Sequence, residues 1–271
     1  MFSDRLLALS GEREASAVAL VALEYLEGAD RTALVADPDR PCRCSYERIE
    51  AVLSRLLAGE PVRYVTGYTY FMGRRFYVTP DVLIPRPETE ELTDMVAGRW
   101  RGAQSPRVVD IATGSGVIAI SLAAELGARV TAIDISERAL RVAERNAAEL
   151  GCDSVEFRRL DILSCGELPD ADIIVSNPPY VTESERAAMS DSVLSYEPGI
   201  ALFVPDADPI LFYRKIASLA AGSLVRGGML YFEINEAFGP QVVRLCRRAG
   251  LHDVRLLRDM SGRDRFVSAV R

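Results

Sequence analysis

Val108-Val109-Asp110-Ile111-Ala112-Thr113-Gly114-Ser115-Gly116-Val117 decides the fold. An apolar run (108–111) leads into a turn with two glycines, and an apolar helix pattern continues from it over 117–126. A strand that turns on glycines into a helix is the opening unit of a doubly wound α/β sheet, and that turn lies where such sheets bind ligands.

Downstream, strand and helix patterns alternate. Strands are expected at 130–133, 155–158, 173–175 and 229–234, and helices at 137–150 and 240–249. Asp208-Pro209 reads as a capping residue followed by a proline at the first helical position, opening a helix that runs to 221. The last two strands, 254–257 and 266–270, are close in sequence and suit an antiparallel pair at the sheet edge. Repeated βα units predict a mostly parallel, doubly wound sheet.

Upstream, 62–87 has a β texture. Tyr64, Val65, Tyr68, Tyr70 and Phe71, then Gly73-Arg74-Arg75, then Phe76, Tyr77 and Val78 read as a hairpin. Before it, apolar residues recur at helical spacing, as in Ala17, Leu20, Val21 and Leu23, and again in Ile49, Val52, Leu53 and Leu56, with Pro38, Pro41 and Gly59-Glu60-Pro61 as breaks. The expected organisation is a helical domain over 1–60, a hairpin linker over 61–87 and the α/β domain over 88–271.

Composition narrows the function. The chain has 271 residues, 49% apolar and 26% charged, with a formal net charge of −7. That suits a globular protein with a sizeable core and speaks against one that tracks a phosphate backbone by bulk charge. The five cysteines, including the isolated Cys42-x-Cys44, form neither a zinc pattern nor a disulfide framework. The single His252, just after a helix, suits the surface rather than catalysis. No apolar stretch reaches the ~18 residues needed to span a bilayer, and Met1-Phe2-Ser3-Asp4-Arg5 does not open a signal peptide. A cytoplasmic protein is expected.

Gly114-x-Gly116-x-x-Ala119 satisfies a loose dinucleotide fingerprint. However, Asp110 sits directly before the turn, where its charge would repel a pyrophosphate and suit a cationic or amine-bearing ligand. S-adenosyl-L-methionine offers both a sulfonium and an ammonium. Asp134, about 20 residues beyond the glycines, is placed to accept from ribose hydroxyls. Asp161 could accept from an adenine amino group, and Ile162 could pack on the ring.

The second informative stretch is Asn177-Pro178-Pro179-Tyr180, just after the apolar run 173–175. Neither proline has an N–H, so the turn offers carbonyl oxygens, to which Asn177 adds an amide oxygen and Tyr180 an aromatic wall. Such a surface accepts the hydrogens of a planar –NH₂ group. An amide nitrogen is a weak nucleophile because its lone pair is delocalised, so acceptors at Asn177 and at the Pro178 carbonyl would orient it and stabilise the charge growing on it. Tyr180 would pack the amide plane.

Arg63-Tyr64-Val65-Thr66-Gly67, Leu83-Ile84-Pro85-Arg86-Pro87-Glu88-Thr89-Glu90, the glycine turn, Asn177-Pro178-Pro179-Tyr180 and Tyr196-Glu197-Pro198 together resemble the protein-(glutamine-N5) methyltransferases that modify bacterial peptide chain release factors. The resemblance covers nearly the whole chain. It implies that Ala112, Thr113, Gly114, Ser115 and Gly116 line the methionine part of S-adenosyl-L-methionine, that Asp134 holds the ribose and that Ile162 lies by the adenine. It implies that Asn177, Pro178, Pro179 and Tyr180 hold the substrate glutamine, with Asn177, Pro178 and Tyr180 catalytic and Asn177 also at the cofactor. The product would be S-adenosyl-L-homocysteine, the partner a release factor and the enzyme a monomer without stable nucleic-acid binding. Two departures stand out, Ala112 and Asn235, where the family tends to have glycine. A sister branch acting on a ribosomal protein, an amino-methyltransferase of a nucleobase, a nicotinamide oxidoreductase and a catalytically silent methyltransferase fold are the competing readings.

Overall fold

Each apolar strand and helix after residue 106 has a face that must be covered, and the way these faces pair sets the frame of the site. The computed structural model describes residues 12–29, 31–37 and 43–271. Pro38, Pro41, Cys42 and the segment from Met1 to Arg5 therefore lie outside the described residues. The chain packs as two units, one of residues up to Tyr68 with Met189–Tyr196, the other of Thr69–Ala188 with Glu197–Arg271.

The first unit holds α1 (Glu12–Glu27), α2 (Arg31–Ala36), α3 (Tyr46–Leu57) and α4 (Val62–Thr66). Ser45 caps α3 by accepting from the Arg48 N–H at 3.3 Å. The helix buries Val52, Leu53 and Leu56 against Ala15, Ala19, Ala22 and Leu26 of α1. Small residues on α1 let the backbones approach closely.

Residues 62–66 correct the sequence reading, because Tyr64 and Val65 lie on a helical turn rather than in a strand. Pro61 starts that turn and Gly67, at φ +77°, ends it in the left-handed region open to glycine. The Arg55 guanidinium donates to the carbonyls of Tyr64 and Val65 at 3.2 and 3.1 Å. These tertiary bonds prevail over the β preference of the two side chains.

In the second unit, β1 (Tyr68–Phe71) and β2 (Arg74–Tyr77) form the expected hairpin. Phe71 and Phe76 meet edge to face with centroids 6.1 Å apart and join the core beside Leu92 and Val96. The hairpin is followed by α5 (Pro87–Trp100), β3 (Arg107–Ile111), α6 (Val117–Leu126), β4 (Arg129–Asp134), α7 (Glu137–Glu149), β5 (Val155–Arg159) and β6 (Ala171–Ser176). Next come β7 (Val181–Thr182), α8 (Asp191–Tyr196, packed in the first unit) and β8 (Phe203–Val204), with β7 and β8 paired in parallel. The chain ends with α9 (Leu211–Ser223), β9 (Leu224–Glu233), α10 (Gly239–Arg248), β10 (His252–Arg258) and β11 (Asp264–Val270).

Seven strands pair in the order β10-β11-β9-β6-β3-β4-β5. The five strands from β9 to β5 are parallel; β11 runs antiparallel to both β9 and β10. The last strand is thus inserted one place in from the edge, and β10 is outermost. Successive side chains point to opposite faces. Val109, Ile174, Leu230 and Phe232 enter one core with α9 and α10, while Val108, Ile173, Val175 and Tyr231 enter the other with α5 and α6. With both faces covered, the central strands need near-continuous apolar runs.

Asp208-Pro209 does not open α9. The helix starts at Leu211, and both Asp208 carboxylate oxygens accept from the Arg214 guanidinium at 2.8 and 2.6 Å. An available arginine takes the carboxylate away from the capping role. Among the described residues, no helix is long and apolar enough to cross a membrane.

Candidate active site

The site is built at the C-terminal ends of the parallel strands, starting with the turn after β3. Asp110 ends inside the protein, fully buried, where one carboxylate oxygen accepts from the Thr113 hydroxyl at 2.5 Å and the Ala119 N–H at 3.2 Å. Its other oxygen is buried and takes no hydrogen bond from the described residues. Burial pushes its carboxyl up to about 7, against the pull of Thr113 and Ala119. Asp110 thereby ties the turn to the first turn of α6.

Above it, Ala112 and Gly114 have φ of +62° and +56° and turn the chain back toward β4. The Thr113 N–H donates to the Ile133 carbonyl at 3.0 Å. Asp134, at the end of β4, accepts from the N–H groups of Gly114 and Ser136 at 2.9 and 2.8 Å. Burial raises its carboxyl, and these backbone donors oppose the rise. At Gly116 (φ +82°) a Cβ would lie 3.0 Å from Ile120 Cδ1 and 3.1 Å from Ala143 Cβ, so α6 and α7 pack across the missing side chain. Asn146 of α7, buried, donates to the carbonyls of Ser115 and Tyr77 at 2.9 and 3.0 Å and accepts from the Tyr77 N–H at 2.7 Å. This one amide fixes the glycine turn to the hairpin.

A cavity of about 250 Å³ opens beside the turn. Ala112, Thr113, Gly114, Ser115, Asp134, Asp161, Ile162, Asn177, Pro178 and Pro179 all line it. Asp110, Gly116 and Tyr180 do not; they support the walls from behind. Among the described residues, the charged side chains lining it are Asp81, Asp134 and Asp161, with no Lys, Arg or His. Three carboxylates in a mostly apolar lining, one of them (Asp81) paired with Arg138 at 3.7 Å, favour a cation over a pyrophosphate.

The opposite wall comes from 82–89 and 198–201, and two of the sequence motifs meet there. Glu197, almost wholly buried, accepts from the Ile84 N–H at 3.2 Å and from the Arg86 guanidinium at 2.6 Å. The prolines on either side, Pro85 and Pro198, are thereby held at the cavity rim.

Asn177 and its neighbours follow β6, whose end is pinned to β3 by the Ser176 hydroxyl on the Ile111 carbonyl at 2.7 Å. Asn177 Nδ2 donates to Thr89 Oγ1 at 3.0 Å, and Thr89 donates in turn to Glu233 Oε2 at 2.7 Å. Asn177 Oδ1 and the Pro178 carbonyl take no hydrogen bond from the described residues. Tyr180 donates its hydroxyl to Glu233 Oε1 at 3.0 Å. Burial, followed by the neighbouring Glu233 charge, pushes the Tyr180 phenol far above its ordinary range. Glu233 itself, fully buried, is pushed up to about 7 by burial, opposed by Thr89, Tyr180 and Arg265.

Asn235 also finds its place here. Its side-chain nitrogen donates to the Tyr180 carbonyl at 3.2 Å and to both Glu185 oxygens at 3.0 Å, and its oxygen accepts from the Ala237 N–H at 2.9 Å. A glycine at 235 would lack these bonds.

The Methyltransferase small domain family matches residues 91–194, and the PrmC N-terminal domain family matches residues 3–67. The release factor glutamine methyltransferase of Bacteroides thetaiotaomicron is 48% identical over 231 residues, covering 84% of this chain and 82% of that one. The release factor glutamine methyltransferase of Flavobacterium psychrophilum is 40% identical, covering 98% of this chain and 95% of that one. The chain belongs to the release factor glutamine methyltransferase family.

A solved methyltransferase from Pyrococcus furiosus superposes with a TM-score of 0.54 over 80% of this methyltransferase and 96% of its own chain, at 16% identity, which shows a shared fold. Within this methyltransferase, Thr89, Glu233, Asn146 and Glu197 are the site-shaping residues that sequence reasoning missed as such. Thr89 and Glu197 lie inside quoted motifs; Glu233 and Asn146 carried no local signal.

Proposed function

We propose that this protein transfers a methyl group from S-adenosyl-L-methionine to the side-chain amide nitrogen of the glutamine in the Gly-Gly-Gln motif of peptide chain release factors. The observation that carries this reading is the joining of two walls. A cavity whose charged lining among the described residues is acidic, suited to an adenosyl cation, meets Asn177, whose amide nitrogen is already engaged and whose oxygen is left to accept. When bound, S-adenosyl-L-methionine supplies a methyl group on a cationic sulfur, which takes back the sulfur–carbon electron pair to leave S-adenosyl-L-homocysteine.

The residues present fit that ligand. Ala112 to Gly116 would border its methionine part, with Gly116 acting through the turn's shape and Asp110 holding the turn from beneath. Asp134 would accept from the ribose, while Asp161 and Ile162 would meet the adenine. Asn177 would touch both ligands. On the substrate side, Asn177 Oδ1 and the Pro178 carbonyl would accept the two amide hydrogens, with Pro179 and Tyr180 completing the turn. The amide nitrogen's electron pair forms the new N–C bond, and its extra proton passes to water. No strong base is needed, because a cationic N-methylated amide is very acidic.

The finer readings are that the enzyme acts in the cytoplasm as a monomer, without stable nucleic-acid binding, as the net charge of −7 supports. The helical residues 1–60 would recognise the protein substrate, with 61–87 joining them to the methyltransferase domain over 88–271. A substrate panel tests the substrate assignment and the role of the helices. Purified protein with S-adenosyl-L-methionine should methylate a release factor but not a large-subunit ribosomal protein or DNA, and removal of 1–57 should raise the KM for the release factor far more than it alters cofactor affinity. Methylation of DNA or the ribosomal protein in preference would overturn the substrate assignment, and full activity of the shortened chain would overturn the role of the helices.

A further inference from the structure

Glu233 is not part of any motif that binds the substrate or the cofactor, yet it is tied to both ends of Asn177-Pro178-Pro179-Tyr180, directly to Tyr180 and through Thr89 to Asn177. One carboxylate oxygen accepts from Thr89, which holds Asn177, and the other accepts from Tyr180. A hydroxyl has a single proton. While Thr89 gives that proton to Glu233, its oxygen can only accept from Asn177, so the amide is forced to present Nδ2 to Thr89 and Oδ1 to the other side. The network has one consistent solution when the carboxylate is ionised.

We propose that Glu233 is a positioning residue that acts through Thr89 to fix the orientation of the Asn177 amide, so that an oxygen rather than an –NH₂ group faces the substrate nitrogen. The inference rests on the amide-accepting role of Asn177. Were Glu233 protonated, it could donate to Thr89, Thr89 could donate to Asn177 Oδ1, and the turned amide would set its own N–H groups against those of the substrate. Two donors cannot satisfy one another, so substrate binding and transfer would both suffer.

The surroundings of Glu233 make this protonation reachable. Burial holds its carboxyl at about 7, with Thr89, Tyr180 and Arg265 lowering it and Glu88 raising it. Arg265 is shared, since it also donates to Asp259 at 3.4 Å and to the Ile234 carbonyl at 3.2 Å. The Tyr213 hydroxyl meets the backbone carbonyl of Glu233, not its carboxylate. Tyr180 stays a donor throughout, because its phenol is shifted far upward.

The test compares wild type with Glu233→Gln, Thr89→Val, Thr89→Ser and Asn177→Ala, measuring kcat, the calorimetric affinity for S-adenosyl-L-homocysteine, and the affinity for a release factor across pH. Wild-type kcat and release-factor affinity should rise together as pH increases through about 7, the value burial imposes on Glu233. In Glu233→Gln that rise should vanish, since the amide does not titrate. Thr89→Val should lower kcat about tenfold or more, the scale of one lost oriented hydrogen bond, with S-adenosyl-L-homocysteine affinity changed much less than release-factor affinity, and Thr89→Ser should restore most of it. If Asn177→Ala abolishes transfer while Thr89→Val keeps wild-type kcat, or Glu233→Gln keeps the wild-type pH profile, the positioning role is wrong. If Asn177→Ala itself transfers methyl at the wild-type rate, the underlying amide-clamp reading falls instead.

Discussion

At the scale of single residues, the site depends on carboxylates put to different uses. Asp134 and Asp161 face the cavity, whereas Asp110 and Glu233 are sealed beneath it and hold other groups in place. Asp110 carries a stability consequence. Folded, its carboxyl ionises only at about 7; its ordinary value is 3.8. Between those values the folded chain binds more protons than the unfolded chain, so stability falls as pH rises through that window. Asp110→Asn keeps an oxygen for Thr113 and Ala119 and cannot ionise. Urea unfolding from about pH 4 to about pH 7 should therefore show a flatter decline for the variant than for wild type, and an unchanged slope would refute the assignment. Glu233 adds a decline of the same sign, from 4.5 to about 7. Thr89 and Glu233 could not be paired from sequence because they are 144 positions apart, as Thr89 and Asn177 are 88 apart. Local patterns show which residues can accept or donate, and the fold alone decides which ones meet.

At the scale of elements, the strand-turn-helix of 108–126 was legible because three independent signals agree there: an apolar run, glycines at the turn and a long apolar helix. The hairpin was legible for a similar reason, with aromatic runs flanking Gly73. The misread stretches are those where a side chain from a neighbouring helix or the next helical turn overrides local preference, as Arg55 does for 62–66 and Arg214 for Asp208. Gly116 shows how tightly the elements are joined. Gly116→Ala would force a side chain against Ile120 and Ala143 at a φ of +82°. The combined strain and overpacking should destabilise the protein by about 2–4 kcal/mol. Chemical denaturation checks this, and a loss below about 0.5 kcal/mol, the range of an ordinary surface change, would contradict it.

At the scale of the whole molecule, the doubly wound sheet brings the glycine turn of β3, the carboxylate of β4 and the Asn-Pro-Pro turn of β6 to one rim, because parallel neighbours end at the same edge. The cavity at that rim accounts for both halves of the proposed chemistry: acidic where a cationic donor would lie, and rich in acceptors where an amide would enter. Mapping the modified atom tests this most directly. A release factor incubated with S-adenosyl-L-methionine and either wild type or Asn177→Ala would be digested and sequenced by fragmentation mass spectrometry. Wild type should leave one added methyl on the side-chain amide of the Gly-Gly-Gln glutamine and the variant none; a methyl at another residue, or equal modification by the variant, would contradict the account.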